Sequence, residues 1–150
     1  RPARGAEWQP ALERGAELTV GDCRPNGRRE LHLRLTLRST APSAGLPASV
    51  RGLAMAGDPY TIRVVIYVFG PVRGSPLHAR LDGKPAPMGG GIERGRRVAV
   101  LGVDIKPGRT RVLEVTLLTP AGGSGEAELW LTPGPTPWTT RVKPAPSCDQ

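Results

Sequence analysis

The sequence predicts an all-β protein, an antiparallel β-sandwich of the immunoglobulin-like kind with seven to eight strands. Residues 31–38 alternate strictly between leucine and polar residues. Short segments of this type recur along the chain, and its 20 glycines and 17 prolines supply turns between them. No segment shows a convincing helical period. Strands at regular spacing with turn signals between them are typical of sandwiches, and 150 residues suit one domain.

The predicted organisation is a linker or tail over residues 1–16, a sandwich domain over 17–143 and a C-terminal tail over 144–150. Proline and glycine interrupt both flanking segments. No apolar run approaches the roughly 18 residues of a membrane span. The chain does not begin with Met and shows no signal peptide, so we expect it to be part of a longer protein.

The first two strands are predicted at residues 17–20 and 31–38, with a Pro-Asn-Gly turn at 25–27 between them. In the second strand the four leucines share one face because side chains alternate along a strand. These leucines are Leu31, Leu33, Leu35 and Leu37. The strand therefore has one face in the core and one face in water.

The long connection over residues 39–59 is rich in proline and glycine. Its length predicts a functional loop or a crossover between sheets. The next strand, residues 60–69, is apolar on both faces, with Arg63 as an exception. Strands buried on both faces have this character, so we expect it in the centre of a sheet.

The remaining predicted strands are residues 77–81, 97–105, 110–118, 126–131 and 138–142. Asp82-Gly83 predicts a turn, and the Lys-Pro-Gly-Arg sequence at 106–109 predicts a type II turn. Residues 88–91 are expected to be flexible because three of them are glycine.

Charge is the strongest bias in the composition: the formal net charge is +8, and 18 of the 21 basic residues are arginine. Such a balance raises nucleic acid, anionic lipid and acidic glycans as partners. The basic residues are dispersed and aromatic residues are scarce, so no nucleic-acid partner is expected. We interpret the basic surface as mainly solvated, with one candidate anion-binding face at Arg34 and Arg38, near Arg28 and Arg29.

Cys23 and Cys148 are the only cysteines. They closely follow the first and last predicted strands, which often lie near each other in sandwiches. One interpretation is a disulfide in an exported protein, and the alternative is two unrelated thiols. We predict the bridge.

Catalytic and metal-binding patterns are weak. Ser39, His32 and Asp58 could be combined into a serine-type arrangement, but no G-x-S-x-G sequence is present. His32 and His78 are interpreted as solvent-exposed. The aspartates do not cluster with calcium-loop spacing. We expect no catalytic residue, no metal and no cofactor.

One further pattern is the glycine run at 89–91 followed by Arg94 and Arg96. These residues could cradle an anion. No helix is predicted after them, so the dipole that assists phosphate sites is missing.

A family resemblance rests on the order of several short segments. These are LTLRSTAP at 35–42, GLPASVRG at 45–52, YVFGP at 67–71, LDG at 81–83, ERGR at 93–96 and IKPG at 105–108. Together they resemble the C-terminal module of actinobacterial membrane-anchored surface proteins, domain-of-unknown-function class four thousand and twelve. Ser39 stands where the family has Asn. The resemblance implies an exported module held outside the cytoplasmic membrane by an upstream helix, and it brings no catalytic residues.

We therefore expect a non-catalytic extracellular module of a bacterial envelope protein, an interaction or spacer domain. One alternative is a weak binder of anionic cell-envelope glycan through the arginines named above. A second alternative is an accessory domain of an envelope enzyme. Envelope polysaccharide or another surface protein would be the partner.

Overall fold

A computed structural model describes residues 12–41, 60–121, 127–133 and 137–146. Nine strands lie within these residues. They are β1 (Leu12–Cys23), β2 (Arg29–Ser39), β3 (Ile62–Phe69), β4 (Ser75–Leu81), β5 (Lys84–Ala86), β6 (Gly89–Glu93), β7 (Arg96–Ile105), β8 (Thr110–Leu118) and β9 (Trp138–Lys143). The described residues contain no helix that could cross a membrane.

The strands form two sheets. One has six strands in the order β5-β4-β8-β2-β1-β9, and the other has three in the order β3-β7-β6. Neighbouring strands are antiparallel except β1 and β9, which pair in parallel. The all-β prediction is confirmed, although the nine strands exceed the seven to eight expected and the larger sheet is mixed.

The core lies between the two sheets, as the leucine alternation predicts. Leu33, Leu35 and Leu37 are 7%, 3% and 2% exposed. Next to them on β8, Leu113, Val115 and Leu117 are also buried. The three-stranded sheet contributes Val68, Ala99 and Leu101 to the cluster that contains Leu33 and Leu35, while Leu37 packs with Val103 and Ile105 in a second cluster. Period-2 patterning thus correctly identifies the buried face of β2 and β8.

The first strand begins at Leu12 and not at the predicted residue 17, so residues 12–16 do not belong to a tail. It pairs with β2 from Leu12 onward. Ala16 is buried, and Leu12 packs at the edge of the core. Residues 13–15 are Glu, Arg and Gly, so they show no alternation of apolar and polar side chains. The start of the strand could therefore not be predicted from the sequence pattern.

A strand was predicted at residues 126–131, and residues 127–131 are not in a strand. Ala127, Leu129 and Leu131 nevertheless pack against the core, while Trp130 is 86% exposed. The alternation therefore reflects burial on one side without backbone pairing to a sheet. Strands β5 and β6 are the opposite case, because they are strands that were not predicted. The glycines at 89–91, expected to be flexible, belong to β6.

Among the described strands, β3 lies at the edge of its sheet, contrary to the central position predicted for it. Among the described residues it pairs with β7 alone. Its outward side chains Val65, Tyr67 and Phe69 are 50%, 60% and 50% exposed. An apolar second face indicated a strand covered on both sides, whereas this face is open to solvent.

Candidate interaction surface

The predicted anion-binding arginines are not gathered into one free cationic face. Arg34 and Arg38 do share the outer face of the six-stranded sheet. Each, however, meets a carboxylate: Arg34 Nη2 lies 3.3 Å from Glu114 Oε2, and Arg38 Nη1 lies 2.9 Å from Glu13 Oε1. A paired guanidinium attracts an additional anion less strongly.

Charges also alternate across this face. One row crosses five adjacent strands in register, namely Arg141, Glu17, Arg34, Glu114 and Arg80. Opposite charges on neighbouring strands stabilise a sheet modestly and cancel much of each other's field at a distance. The face is therefore polar with only a small excess of positive charge.

Arg28 and Arg29 lie at the end of this sheet, apart from Arg34 and Arg38. The Arg28 backbone N–H donates to Asn26 Oδ1 at 3.0 Å, within the turn. Arg29 Nη2 donates to Cys23 Sγ at 2.9 Å and to the carbonyl oxygen of Pro146. Cys148 lies outside the described residues, so its bridge to Cys23 stays a prediction. The contacts of Arg29 support it, because they bring Pro146 close to Cys23.

The serine-type arrangement does not form. Ser39 is fully buried on the inner face of β2, and its hydroxyl accepts from the Ala41 N–H at 3.1 Å. His32 lies on the outer face of the same strand, and Asp58 is outside the described residues. Ser39 and His32 therefore face opposite sides of the sheet.

The two histidines line a shallow groove on the outer face, with a volume of about 220 Å³. Both His32 and His78 are in register with Thr116. His32 Nδ1 lies 3.5 Å from Thr116 Oγ1, and Nε2 lies 3.6 Å from Glu30 Oε1. The pKa of Glu30 is lowered, chiefly by its hydrogen bond from Arg24. Within the described residues, no group of three or more His, Cys, Asp or Glu side chains could hold a metal ion.

Asp82 forms the predicted turn and also fastens it to the neighbouring strand. Asp82 and Gly83 both have positive φ, 52° and 82°, as a type I′ hairpin requires. The Asp82 carboxylate accepts from the Val112 N–H at 2.8 Å and from Arg111 Nε at 2.5 Å. The hydrogen bond from Val112 is the main cause of the lowered pKa of Asp82, and Arg111 adds to it.

We expect Asp82→Ala to lower the free energy of unfolding by about 1–2 kcal/mol at neutral pH, because it removes a charged acceptor of two hydrogen bonds. Asp82→Asn should cost less, since its Oδ1 can still accept from Val112. The folded pKa of Asp82 lies below the ordinary 3.8. Its stabilisation is therefore full above that value and lost as the pH falls through the folded pKa.

Urea denaturation at neutral pH and in steps down to about pH 3 measures this dependence. The gap between wild type and Asp82→Ala should close toward the acid end of the series. A gap that stays constant across the series would show that the carboxylate charge has no part in holding the turn.

The outer face of the three-stranded sheet carries exposed apolar side chains. We call Val65, Tyr67, Phe69, Val98 and Val100 the apolar face. Tyr67 pairs with Val100 and Phe69 pairs with Val98, so the five side chains are contiguous on two strands. Val98 is 7% exposed, whereas the three on β3 are at least half exposed. Val65 and the two aromatic rings thus form the accessible part of the apolar face.

Glycines keep the surroundings of this face flat. Gly102 is in register with Val65, and Gly89 and Gly91 are in register with Val100 and Val98. A methyl group added at Gly102 or Gly91 would meet no atom within 4 Å. Because these positions are glycine, no side chain projects from them beside the apolar face.

One end of the same sheet is strongly basic. We call residues 70–74 and 92–97 the basic end. It contains four arginines and one glutamate, a net charge of +3. The arginines are Arg73, Arg94, Arg96 and Arg97, and all four are exposed. Between them lie two exposed apolar side chains, Val72 at 51% and Ile92 at 70%.

The arginines of the predicted anion cradle are thus at a hairpin tip. Arg94 and Gly95 have φ of 50° and 79°, which is the type I′ geometry of a two-residue hairpin turn. The preceding glycines belong to strand β6 and not to a flexible loop. The sequence thus indicated Arg94 and Arg96 as candidate anion-binding residues. It did not indicate the apolar face, because β3 was interpreted as a strand buried on both faces.

Comparison with protein-family models finds no match for this chain, and comparison with curated proteins finds none either. Among solved structures, the chain is similar to leukotriene A4 hydrolase from Saccharomyces cerevisiae, with a TM-score of 0.44 and 10% identity over 81% of this chain and 18% of that one. It is also similar to an M1 zinc metallopeptidase from Deinococcus radiodurans, with a TM-score of 0.38 and 17% identity over 73% and 21% of the two chains. The chain thus spans about a fifth of the length of each of these proteins.

Proposed function

We propose that this chain is a non-catalytic, immunoglobulin-like sandwich module of an extracellular bacterial envelope protein. It attaches, through the apolar face and the basic end, to a surface that is both apolar and anionic. The observation that carries this function is the exposed row of Val65, Tyr67 and Phe69. Contiguous exposed apolar patches of this kind mark interaction sites.

The charge of the basic end supports an anionic counterpart. Arg73 and Arg94 stand on two turns, and Arg96 and Arg97 begin β7 next to the apolar face. Glu93 is the sole acid within residues 70–74 and 92–97. Arg34 and Arg38, in contrast, already face Glu114 and Glu13. The basic end is thus better placed than the arginine pair of the larger sheet to attract an anion.

Export, an upstream membrane anchor and membership of the surface-protein class belong to the same proposal. They rest on the segment order of the sequence and on the expected Cys23–Cys148 bridge. A module of this kind can also serve as an accessory domain of an envelope enzyme, because its contact surface is independent of any catalysis elsewhere in the protein.

Two double variants with the same change in net charge test which arginines bind anions. We expect Arg94→Ser with Arg96→Ser to elute from immobilised heparin at clearly lower salt than wild type. Arg34→Ser with Arg38→Ser should elute close to wild type, because its arginines are already paired. Both variants lose two positive charges, so general electrostatics predicts equal shifts. If the larger shift belongs to the Arg34 and Arg38 variant, the anionic-glycan alternative is correct instead.

The apolar half of the proposal is tested on a phenyl matrix at high salt. Tyr67→Ser with Phe69→Ser should lose most of its retention while the melting temperature changes little, because both rings are at least half exposed. Trp130→Ser removes an exposed aromatic side chain elsewhere and should keep most of it. Equal losses of retention in the two variants would show that the apolar face contributes no more to phenyl binding than an exposed aromatic side chain elsewhere.

A further inference from the structure

We propose that the partner surface is an anionic lipid membrane, with Val72 and Ile92 inserted among the headgroups and the arginines of the basic end on the lipid phosphates. This inference rests on the proposed function and names its partner. Peripheral modules commonly combine apolar insertion with attraction to anionic lipid.

The turn that carries Val72 and the β6–β7 hairpin that carries Ile92 are held together by hydrogen bonds. The Gly70 N–H donates to the Arg97 carbonyl at 2.9 Å, and Arg96 Nη1 donates to the Gly70 carbonyl at 3.3 Å. Within the first turn, the Gly74 N–H donates to the Pro71 carbonyl at 2.9 Å. Both apolar side chains are therefore presented on one ordered end of the sheet.

This end projects beyond the core. Ile92 is in register with Arg97 of β7. Arg97 lies on the same side of β7 as Ala99 and Leu101, which are buried in the core. Ile92 is nevertheless 70% exposed, so the hairpin extends past the six-stranded sheet. A protruding tip with exposed isoleucine, valine and arginine side chains fits a planar layer of headgroups better than it fits a narrow groove.

The apolar face favours lipid over a glycan. Sugars that stack on aromatic rings also need polar side chains nearby to bind their hydroxyl groups. The polar pair nearest along β3 is Arg63 with Asp104, and these two bind each other at 2.7 and 2.8 Å. On the apolar face itself, the Tyr67 hydroxyl is the one side-chain group that can hydrogen-bond, because the other four residues are valine and phenylalanine. Arginine, in turn, binds phosphate in a bidentate manner.

Sedimentation of the full chain with lipid vesicles tests the proposal. We expect it to bind vesicles of equal parts phosphatidylglycerol and phosphatidylcholine, and to bind vesicles of phosphatidylcholine alone much more weakly. Arg94→Ser with Arg96→Ser should weaken binding about thirtyfold, and the matched Arg34 and Arg38 variant only a fewfold. Ile92→Ser should weaken it about tenfold, whereas Leu77→Ser, an exposed leucine on the other sheet, should not.

The remaining outcomes count against lipid. If wild type binds neither kind of vesicle, the lipid inference fails, and the proposed function still stands if Arg94 and Arg96 control heparin retention. Equal binding to both kinds of vesicle shows that the arginines do not recognise anionic headgroups. If soluble dextran sulfate binds as tightly as vesicles and Ile92→Ser changes neither, the ligand is a polyanion and not a bilayer.

Discussion

Leu35→Ala is expected to lower the free energy of unfolding by about 2–5 kcal/mol, because it empties a buried position between the sheets. Leu35 is 3% exposed and belongs to the cluster shared by both sheets. Its neighbour Thr36 points to the outer face, so Thr36→Ala should cost less than about 0.5 kcal/mol. Urea denaturation measures both values.

The two substitutions differ by one position on one strand, so they share backbone environment and distance from the strand ends. Leu35→Ala removes three heavy atoms and Thr36→Ala removes two, so a large difference reports mainly side-chain direction. Similar costs at Leu35 and Thr36 would mean that the assigned faces of β2 are wrong, and with them the position of the core.

Gly74→Ala is expected to cost about 1–3 kcal/mol through overpacking. Gly74 is buried in the turn before β4. A methyl group there would overlap the Leu118 carbonyl oxygen and lie 2.6 Å from Pro71 Cγ. Both neighbours are constrained, one by the backbone of β8 and the other by a proline ring, so neither yields easily.

Gly102→Ala is the matched control, because a methyl group at Gly102 meets nothing within 4 Å. We expect it to stabilise the protein by about 0.5–1 kcal/mol, since glycine is unfavourable inside a strand. Thermal denaturation of both variants gives the comparison. A Gly74→Ala variant as stable as wild type would show that the turn can move away from Leu118.

Alternation identified the buried face of β2 because one side of that strand meets the core and the other meets water. The same rule failed at β3, where both faces are apolar. Burial on two sides and an open apolar face give the same sequence pattern. At residues 127–131 the pattern was correct for burial but not for pairing, because side-chain period does not reveal whether a neighbouring strand is present.

The candidate site could be predicted only in part, because a sequence pattern shows which residues share a strand face but not which distant residues lie beside them. The shared face of Arg34 and Arg38 followed from their spacing. Their partners Glu114 and Glu13 come from β8 and β1, and no local pattern indicates which carboxylate a distant strand brings. Likewise, the glycine run before Arg94 and Arg96 indicates a possible anion cradle, but Val72 reaches the same end from a separate turn.

The parallel pairing of β1 with β9 has a mechanical consequence. Their register runs from Arg14 with Trp138 to Thr19 with Lys143. Because the strands are parallel, the start of β1 and the end of β9 lie at opposite ends of the pair. A tensile force drawing residues 12 and 143 apart would load the hydrogen bonds between them in shear, all together and not one after another. Such a clamp resists stretching better than a pair that opens like a zip.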